Sequence, residues 1–298
     1  MFSLFSKRKN KPAPLTVSTA PPTSERPAFF DYYVKGAVLS DVGCCRKVNE
    51  DRGLFLAPEN EAAMTHKIVM LIVADGMGGH AAGEVASSLA VEVISRTYTE
   101  RDTAIEKALE NAFHQANRTI YQAAIKNKAQ QGMGTTCTAL ALRNGFAYCA
   151  HVGDSRLYLV RDSNIYLMSE DHSAVMEMVR NGLLTLEKAR HHEDKNIILR
   201  ALGTQAKVAV SAWEKPFPIQ AGDAFVLCSD GLYDLVEDEE IKQAVLNVEP
   251  GNACERLIVL ALQRGGHDNI TVGVLNITAK DLTTIPAMQP TRELQVVN

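Results

Sequence analysis

Three aspartates stand where apolar runs end or begin. Asp75 closes the run in VMLIVADGMGG, Asp230 closes AFVLCSDGLYD, and Asp268 precedes the last run in GGHDNITVGVL. A buried strand that leads into a carboxylate is costly unless the carboxylate meets a cation or a donor. Strand tips of packed sheets lie along one edge, so the three acids can converge. Any single Asp-Gly also reads as an ordinary turn, and the two readings stand side by side at this point. Gly76, Gly78 and Gly79 let the backbone approach a ligand closely just before a helix. Carboxylate and carbonyl oxygens suit hard cations such as Mg²⁺ or Mn²⁺.

Other residues suggest different chemistry. Cys137 and Arg143 satisfy Cys-x5-Arg, the skeleton of a cysteine phosphatase, but the intervening TALAL is a strand-like run and not a glycine-rich phosphate cradle. His191-His-Glu-Asp194 could bind a metal, yet it reads better as part of a polar, mobile segment between Asp171 and Leu199. The six cysteines include no Cys-x-x-Cys pair, so zinc ribbons and thioredoxin-like sites have no support. They read as reduced thiols in a cytoplasmic protein.

The elements that must position these residues follow from periodicity. Short β-branched or apolar runs predict strands at Lys67–Ala74, Thr135–Leu142, Gly145–Val152, Arg156–Arg161, Ala224–Cys228 and Ile270–Ile277. Helical spacing predicts helices at Ala82–Tyr98, Thr103–Ile125, His172–Asn181, Glu237–Leu246 and Gly251–Gln263. Grouped strands and paired helices favour an α+β layered domain over a doubly wound parallel sheet. Residues 1–30 are rich in Pro, Ser, Thr, Lys and Arg and read as a flexible basic leader. Residues 31–278 form the catalytic domain in this reading, and 279–298 a tail.

Composition narrows the classes further. The 298 residues are 46% hydrophobic and 22% charged, with a formal net charge of −4. That balance is globular and lacks the basic footprint of a nucleic-acid binder. No run reaches the roughly 20 apolar residues of a membrane span, and the N-terminus lacks the order of a secretory signal.

Eight motifs then occur in one order: Arg46-Lys-Val-Asn-Glu50-Asp51, Asp75-Gly-Met-Gly-Gly79, Gly134-Thr-Thr136, Gly153-Asp-Ser-Arg156, Glu170-Asp-His172, Leu199-Arg-Ala-Leu-Gly203, Ser229-Asp-Gly231 and Asp268-Asn-Ile-Thr271. Over roughly residues 33–277 this series resembles the type 2C metal-dependent protein serine/threonine phosphatases, their bacterial single-domain members most. The resemblance implies a central β-sandwich of two antiparallel sheets flanked by pairs of α-helices. It also implies hydrolysis of phosphoserine and phosphothreonine at a centre of two Mn²⁺ or Mg²⁺ ions. In that family pattern Asp75 bridges both ions and the Gly76 carbonyl binds one. Asp230 and Asp268 hold the other, and Glu50 and Asp51 contribute directly or through water. Asp154 and Asp234 match ligands of a third ion, with Asp194 a candidate beside them. Arg46 matches the arginine that grips the phosphoryl oxygens through its planar fork.

One departure from the family pattern is Met77, where many eukaryotic members carry a histidine proposed to protonate the leaving group. His80, three residues later, reads more simply as a capping or surface group. The implied partners are phosphoproteins modified by a serine/threonine kinase, met by a monomer. The rival readings are a catalytically weak regulatory module with this fold and a two-metal nuclease. The first would have lost a metal aspartate, and the second would want a basic groove.

Overall fold

The computed structural model describes residues 32–57, 68–78, 82–100 and 105–279. The leader expected at 1–30, Gly79, His80 and all of the tail except Ala279 lie outside the described residues. In chain order the strands and helices begin with β1 (Tyr32–Asp41), β2 (Arg52–Leu56), β3 (Val69–Ala74) and β4 (Gly76–Met77). Helices α1 (Ala82–Glu100) and α2 (Ile105–Lys126) follow, then β5 (Gly134–Thr135), β6 (Cys137–Arg143), β7 (Phe146–Val152), β8 (Arg156–Arg161) and β9 (Asn164–Leu167). Next come α3 (Ala174–Arg180), α4 (Leu186–Arg190), β10 (Ser211–Ala212), β11 (Phe217–Pro218) and β12 (Ala224–Cys228). The described chain ends with α5 (Asp230–Tyr233), α6 (Asp238–Val245), α7 (Pro250–Gln263) and β13 (Ile270–Ala279).

Two antiparallel sheets stack, one ordered β1-β13-β12-β8-β9 and the other β10-β7-β6-β3-β2. The period-2 alternation of each strand explains the layering. In β3, Val69, Leu71 and Val73 join the core between the sheets. Met70, Ile72 and Ala74 face the other way and pack with α1 and α2. Likewise Phe225 and Leu227 of β12 point between the sheets, while Val226 and Cys228 meet α5, α6 and α7. Gly273 allows the sheets to close, since a Cβ there would lie 2.7 Å from the Leu71 side chain. The expected sandwich with helix pairs on both faces is what the chain forms.

Three sequence expectations needed adjustment. The run Thr135–Leu142 is two strands, because Thr136 turns its backbone and hydroxyl to Asp75. The helix expected from His172 begins at Ala174, with the Ser173 hydroxyl accepting from Met176 N as its cap. The segment between Asp171 and Leu199 carries α3 and α4, which share a small core of Val175, Val179 and Ala189.

Register brings the acids to one edge. Antiparallel pairing puts Arg52 opposite Ala74, so Glu50, Asp51 and Asp75 leave the same end of one sheet. Cys228 pairs with Val272 and with Arg156, so Asp230, Asp268 and Asp154 leave the matching end of the other.

Candidate metal centre

Each acid at that edge is held by its backbone before its side chain is considered. Asp75 is clamped by Thr136: Thr136 N donates to the Asp75 carbonyl over 2.8 Å, and Asp75 N donates to Thr136 Oγ1 over 3.0 Å. Thr136 Oγ1 also meets Ser155 Oγ at 2.7 Å, which ties the Asp75 turn to the loop carrying Asp154. Glu50 N donates to Asn269 Oδ1 at 2.8 Å, and the Glu50 carbonyl accepts from Ser87 Oγ at 2.5 Å. Thus Asn269, beside Asp268, fixes Glu50, and α1 fixes it from the other side.

The glycines are required by close approach. A Cβ on Gly76 would lie 2.2 Å from the Gly83 carbonyl and 2.5 Å from that of Glu50. A Cβ on Gly83 would lie 2.7 Å from Glu50 Oε1, which accepts from Gly83 N at 3.2 Å. Glu50 thereby satisfies one of the free N–H groups in the first turn of α1.

The carboxylates share one electrostatic neighbourhood. Burial first, and then the charges of Asp51, Asp230, Asp154 and Asp268, hold Asp75 well above the ordinary carboxylate range. Asp230 is raised in the same way by burial, then by Asp154, Asp268, Asp234 and Asp51. Burial pushes Asp51 up to about 6 even though Ser229 Oγ donates to its Oδ2 over 2.7 Å. Asp154 is pushed up to about 7 by burial and by Asp171. Glu50 is raised by burial, and the hydrogen bond from Gly83 opposes that shift. Like charges gathered in a poorly solvated place bind protons, because burial and mutual repulsion outweigh the few cations beside them.

The donor set fits hard divalent cations. Asp51 Oδ1 and Asp230 Oδ1 are buried, and among the described residues nothing donates a hydrogen bond to either. An unsatisfied buried carboxylate oxygen is strongly unfavourable unless something positive reaches it. Among the described residues no three carboxylate, imidazole or thiol side chains stand close enough together to hold a metal ion as they are placed. Mutual repulsion gives a physical reason for an acid set that is gathered and still open.

Two predicted residues carry protein cations. Arg46 Nη2 meets Asp268 Oδ2 at 2.7 Å, at the mouth of the cluster. Asp234 is ion-paired with Lys195, from the segment after α4, and His267 Nε2 stands 3.8 Å away. Asp194 faces His192 at 3.8 Å.

Several supporting residues lay inside the recognised motifs without an assigned role, namely Thr136, Ser229, Asn269 and the pair Arg156–Asp171. Arg156 grips Asp171 at 2.8 Å and lies 3.8 Å over the Tyr233 ring, which braces the Asp154 loop. Gly83, Ser87 and Lys195 carried no signal in the sequence, because their partners are distant in the chain. Cys137 and Arg143 stand at opposite ends of β6, roughly 20 Å apart for a strand of that length. Burial also lifts the Cys137 thiol far above its usual value, so the pair forms no cysteine nucleophile site.

The chain is similar to known proteins in sequence and in fold. The family model described as Protein phosphatase 2C matches residues 60–251. The chain is 37% identical over 251 residues to the serine/threonine phosphatase stp of Listeria monocytogenes, covering 82% of this chain and 95% of that one. The crystal structure of the serine/threonine phosphatase Stp1 from Staphylococcus aureus superposes with a TM-score of 0.74 at 30% identity, over 85% of this chain and 99% of that one. A PstP catalytic domain, solved in complex with two manganese ions, superposes with a TM-score of 0.70 at 34% identity, over 83% and 99%.

Proposed function

The chain belongs to the protein phosphatase 2C family and is a metal-dependent serine/threonine phosphatase; we propose that the acids at the sheet edge are its working centre. Asp75, the Gly76 carbonyl, Asp230 and Asp268 would hold the two Mn²⁺ or Mg²⁺ ions in this reading. Glu50 and Asp51 complete the set directly or through water. Bound divalent cations acidify water and draw charge from the phosphoryl oxygens.

The chain's own residues orient and bind. Thr136 and Asn269 hold Asp75 and Glu50 in register, and Ser229 keeps one oxygen of Asp51 turned away from the cluster. Arg46, half-exposed at the mouth, receives the phosphoryl group of a phosphoserine or phosphothreonine. Its partner Asp268 would serve the metal instead, and the planar guanidinium fork suits the phosphoryl oxygens. Asp154 and Asp234 would hold a third ion in this reading, and Asp234 is ion-paired with Lys195 in this structure.

The observation that carries this reading is the pair of buried carboxylate oxygens, on Asp51 and Asp230, without a donor. All of Asp75, Asp230 and Asp268 are present, which disfavours a purely regulatory module. No helix among the described residues is long and apolar enough to cross a membrane. We assign the protein to the cytoplasm, in keeping with its free cysteines, as a monomer whose substrates are the products of a serine/threonine kinase.

The test is hydrolysis of phosphoserine and phosphothreonine peptides. Activity should require added Mn²⁺ or Mg²⁺, vanish in EDTA and return on readdition. Asp75→Asn should lose at least 10²-fold in kcat, on the order expected when a group acting in the transition state is removed. Full activity after exhaustive chelation defeats the reading.

A further inference from the structure

Four of the six cysteines are chemically quiet. Cys137, Cys149, Cys228 and Cys254 are buried in the cores. Burial pushes the thiols of Cys149 and Cys254 up to about 12 and those of Cys137 and Cys228 higher still. Cys44 and Cys45 are the two exposed ones, adjacent to each other and immediately before Arg46.

The loop that carries them is fixed to the site. Cys44 N donates to the Gly266 carbonyl over 2.7 Å. Asn269 Nδ2 donates to the carbonyls of Val42 and Val48 at 2.9 and 3.0 Å. Gly43 has φ +76°, and a Cβ there would lie 2.1 Å from the Asp268 carbonyl. The loop backbone is thus tied to Gly266, Asp268 and Asn269, and Cys44 Sγ lies 3.1 Å from where a Cβ on Gly266 would stand.

We propose that Cys44–Cys45 is a thiol-modification site that takes up one half of a low-mass disulfide of the glutathione type and thereby weakens binding of phosphorylated substrate at Arg46. Its consequence rests on the phosphatase reading, whereas formation of the adduct does not. The thiolate of either cysteine attacks one sulfur of the disulfide. A protein–sulfur to ligand–sulfur bond forms and the reagent's S–S bond breaks. The other half leaves as a thiolate, which takes up a proton. The protein sulfur is oxidised and the departing half reduced.

The second cysteine does not close a ring cheaply. Adjacent Cα atoms stand about 3.8 Å apart across a trans peptide, below the roughly 4.4–6.8 Å that disulfides prefer. The mixed disulfide is thus the resting product. A glutathionyl group brings one net negative charge beside a guanidinium that has to receive a dianion. Like charges near one another repel even in water, so affinity for the dianion should fall several-fold.

The experiment uses the full chain loaded with Mn²⁺ and treated with oxidised glutathione. Peptide mapping by mass should place the adducts on Cys44 and Cys45 only. KM for a phosphopeptide should rise several-fold with kcat little changed, and dithiothreitol should restore it. Calorimetric binding of inorganic phosphate should weaken in parallel. The Cys44→Ser/Cys45→Ser double variant should keep its basal activity and ignore the reagent. No adduct, adducts on the buried cysteines, or adducts that leave KM and phosphate binding unchanged each overturn the proposal. A chain that hydrolyses no phosphopeptide before treatment defeats the phosphatase reading instead, and adduct mapping with phosphate binding still decides this one.

Discussion

Ser229 Oγ donates to Asp51 Oδ2 over 2.7 Å, joining the end of a strand in one sheet to the residue that opens a strand in the other. The same oxygen accepts from Thr271 N at 2.9 Å, so one hydroxyl links β12, β13 and the approach to β2. The hydrogen bond turns one oxygen of a buried acid toward protein and leaves Oδ1 free for a cation.

Ser229→Ala should therefore weaken metal binding more than it weakens the fold. A hydrogen bond to a charged group is worth about 1.5–3 kcal/mol, so the metal dissociation constant should rise about tenfold or more. Isothermal titration calorimetry measures this directly. A lower Tm with unchanged affinity would reduce Ser229 to a structural link.

Asp230→Asn should separate stability from function. It removes one charge from a cluster in which burial and four neighbouring aspartates hold Asp230 well above its ordinary range. The metal-free variant should gain about 1 kcal/mol, equal to about 2–4 °C in Tm for a domain of this size. Its turnover should collapse, and its Tm should respond less to Mn²⁺. A metal-free variant less stable than the parent would mean that the Asp230 carboxylate supports the fold.

The metal-free protein should also lose stability as pH rises. Asp51 is held at about 6 and Asp154 at about 7, both above the unfolded value near 4. Between these limits the folded state binds more protons than the unfolded state, so unfolding becomes easier with rising pH. The penalty is absent below about pH 4, grows through pH 5 to 7, and is complete above about 7. Urea denaturation in EDTA at pH 5 and pH 8 measures it. Saturating Mg²⁺ or Mn²⁺ should flatten the dependence, since the cation replaces the protons. A metal-free protein more stable at pH 8 than at pH 5 contradicts the shared acid cluster.

What the sequence reveals follows range of interaction. Asp75, Asp230 and Asp268 were legible because each stands within two residues of a strand that is mostly apolar and buried, and that contrast is local. β1 and β2 were missed because every residue of Tyr32–Asp41 and Arg52–Leu56 is at least partly exposed, so no apolar run marks them. Their register is set by partners far along the chain, Tyr32 opposite Ala279 and Arg52 opposite Ala74. Asn117 shows the same limit. It reads as one polar position on a helix, yet its side chain accepts from Gly203 N and donates to the Gln205 carbonyl, anchoring the segment that returns to the site.

Met77 tests how the departing group is protonated. It lies in β4 with Gly134 as its partner, one residue beyond the Gly76 carbonyl, and is only partly buried. A thioether cannot donate a proton, so this position supplies no general acid. The deficit should be largest for a serine alkoxide and smallest for p-nitrophenolate, which leaves unaided. General acid catalysis is worth about 10²–10⁴-fold when well placed, and an unsupported graft should recover only several-fold. Met77→His should thus raise kcat on a phosphoserine peptide more than on p-nitrophenyl phosphate. It should also add a falling limb to the rate profile above the imidazole pKa, about 6.5 for an unperturbed group. Met77 packs beside Gly134, with its Cγ 3.6 Å from where a Cβ would stand there. Equal effects on both substrates with an unchanged pH profile would mean that residue 77 does not reach the leaving oxygen, and the placement of the phosphoryl group at Arg46 would have to change.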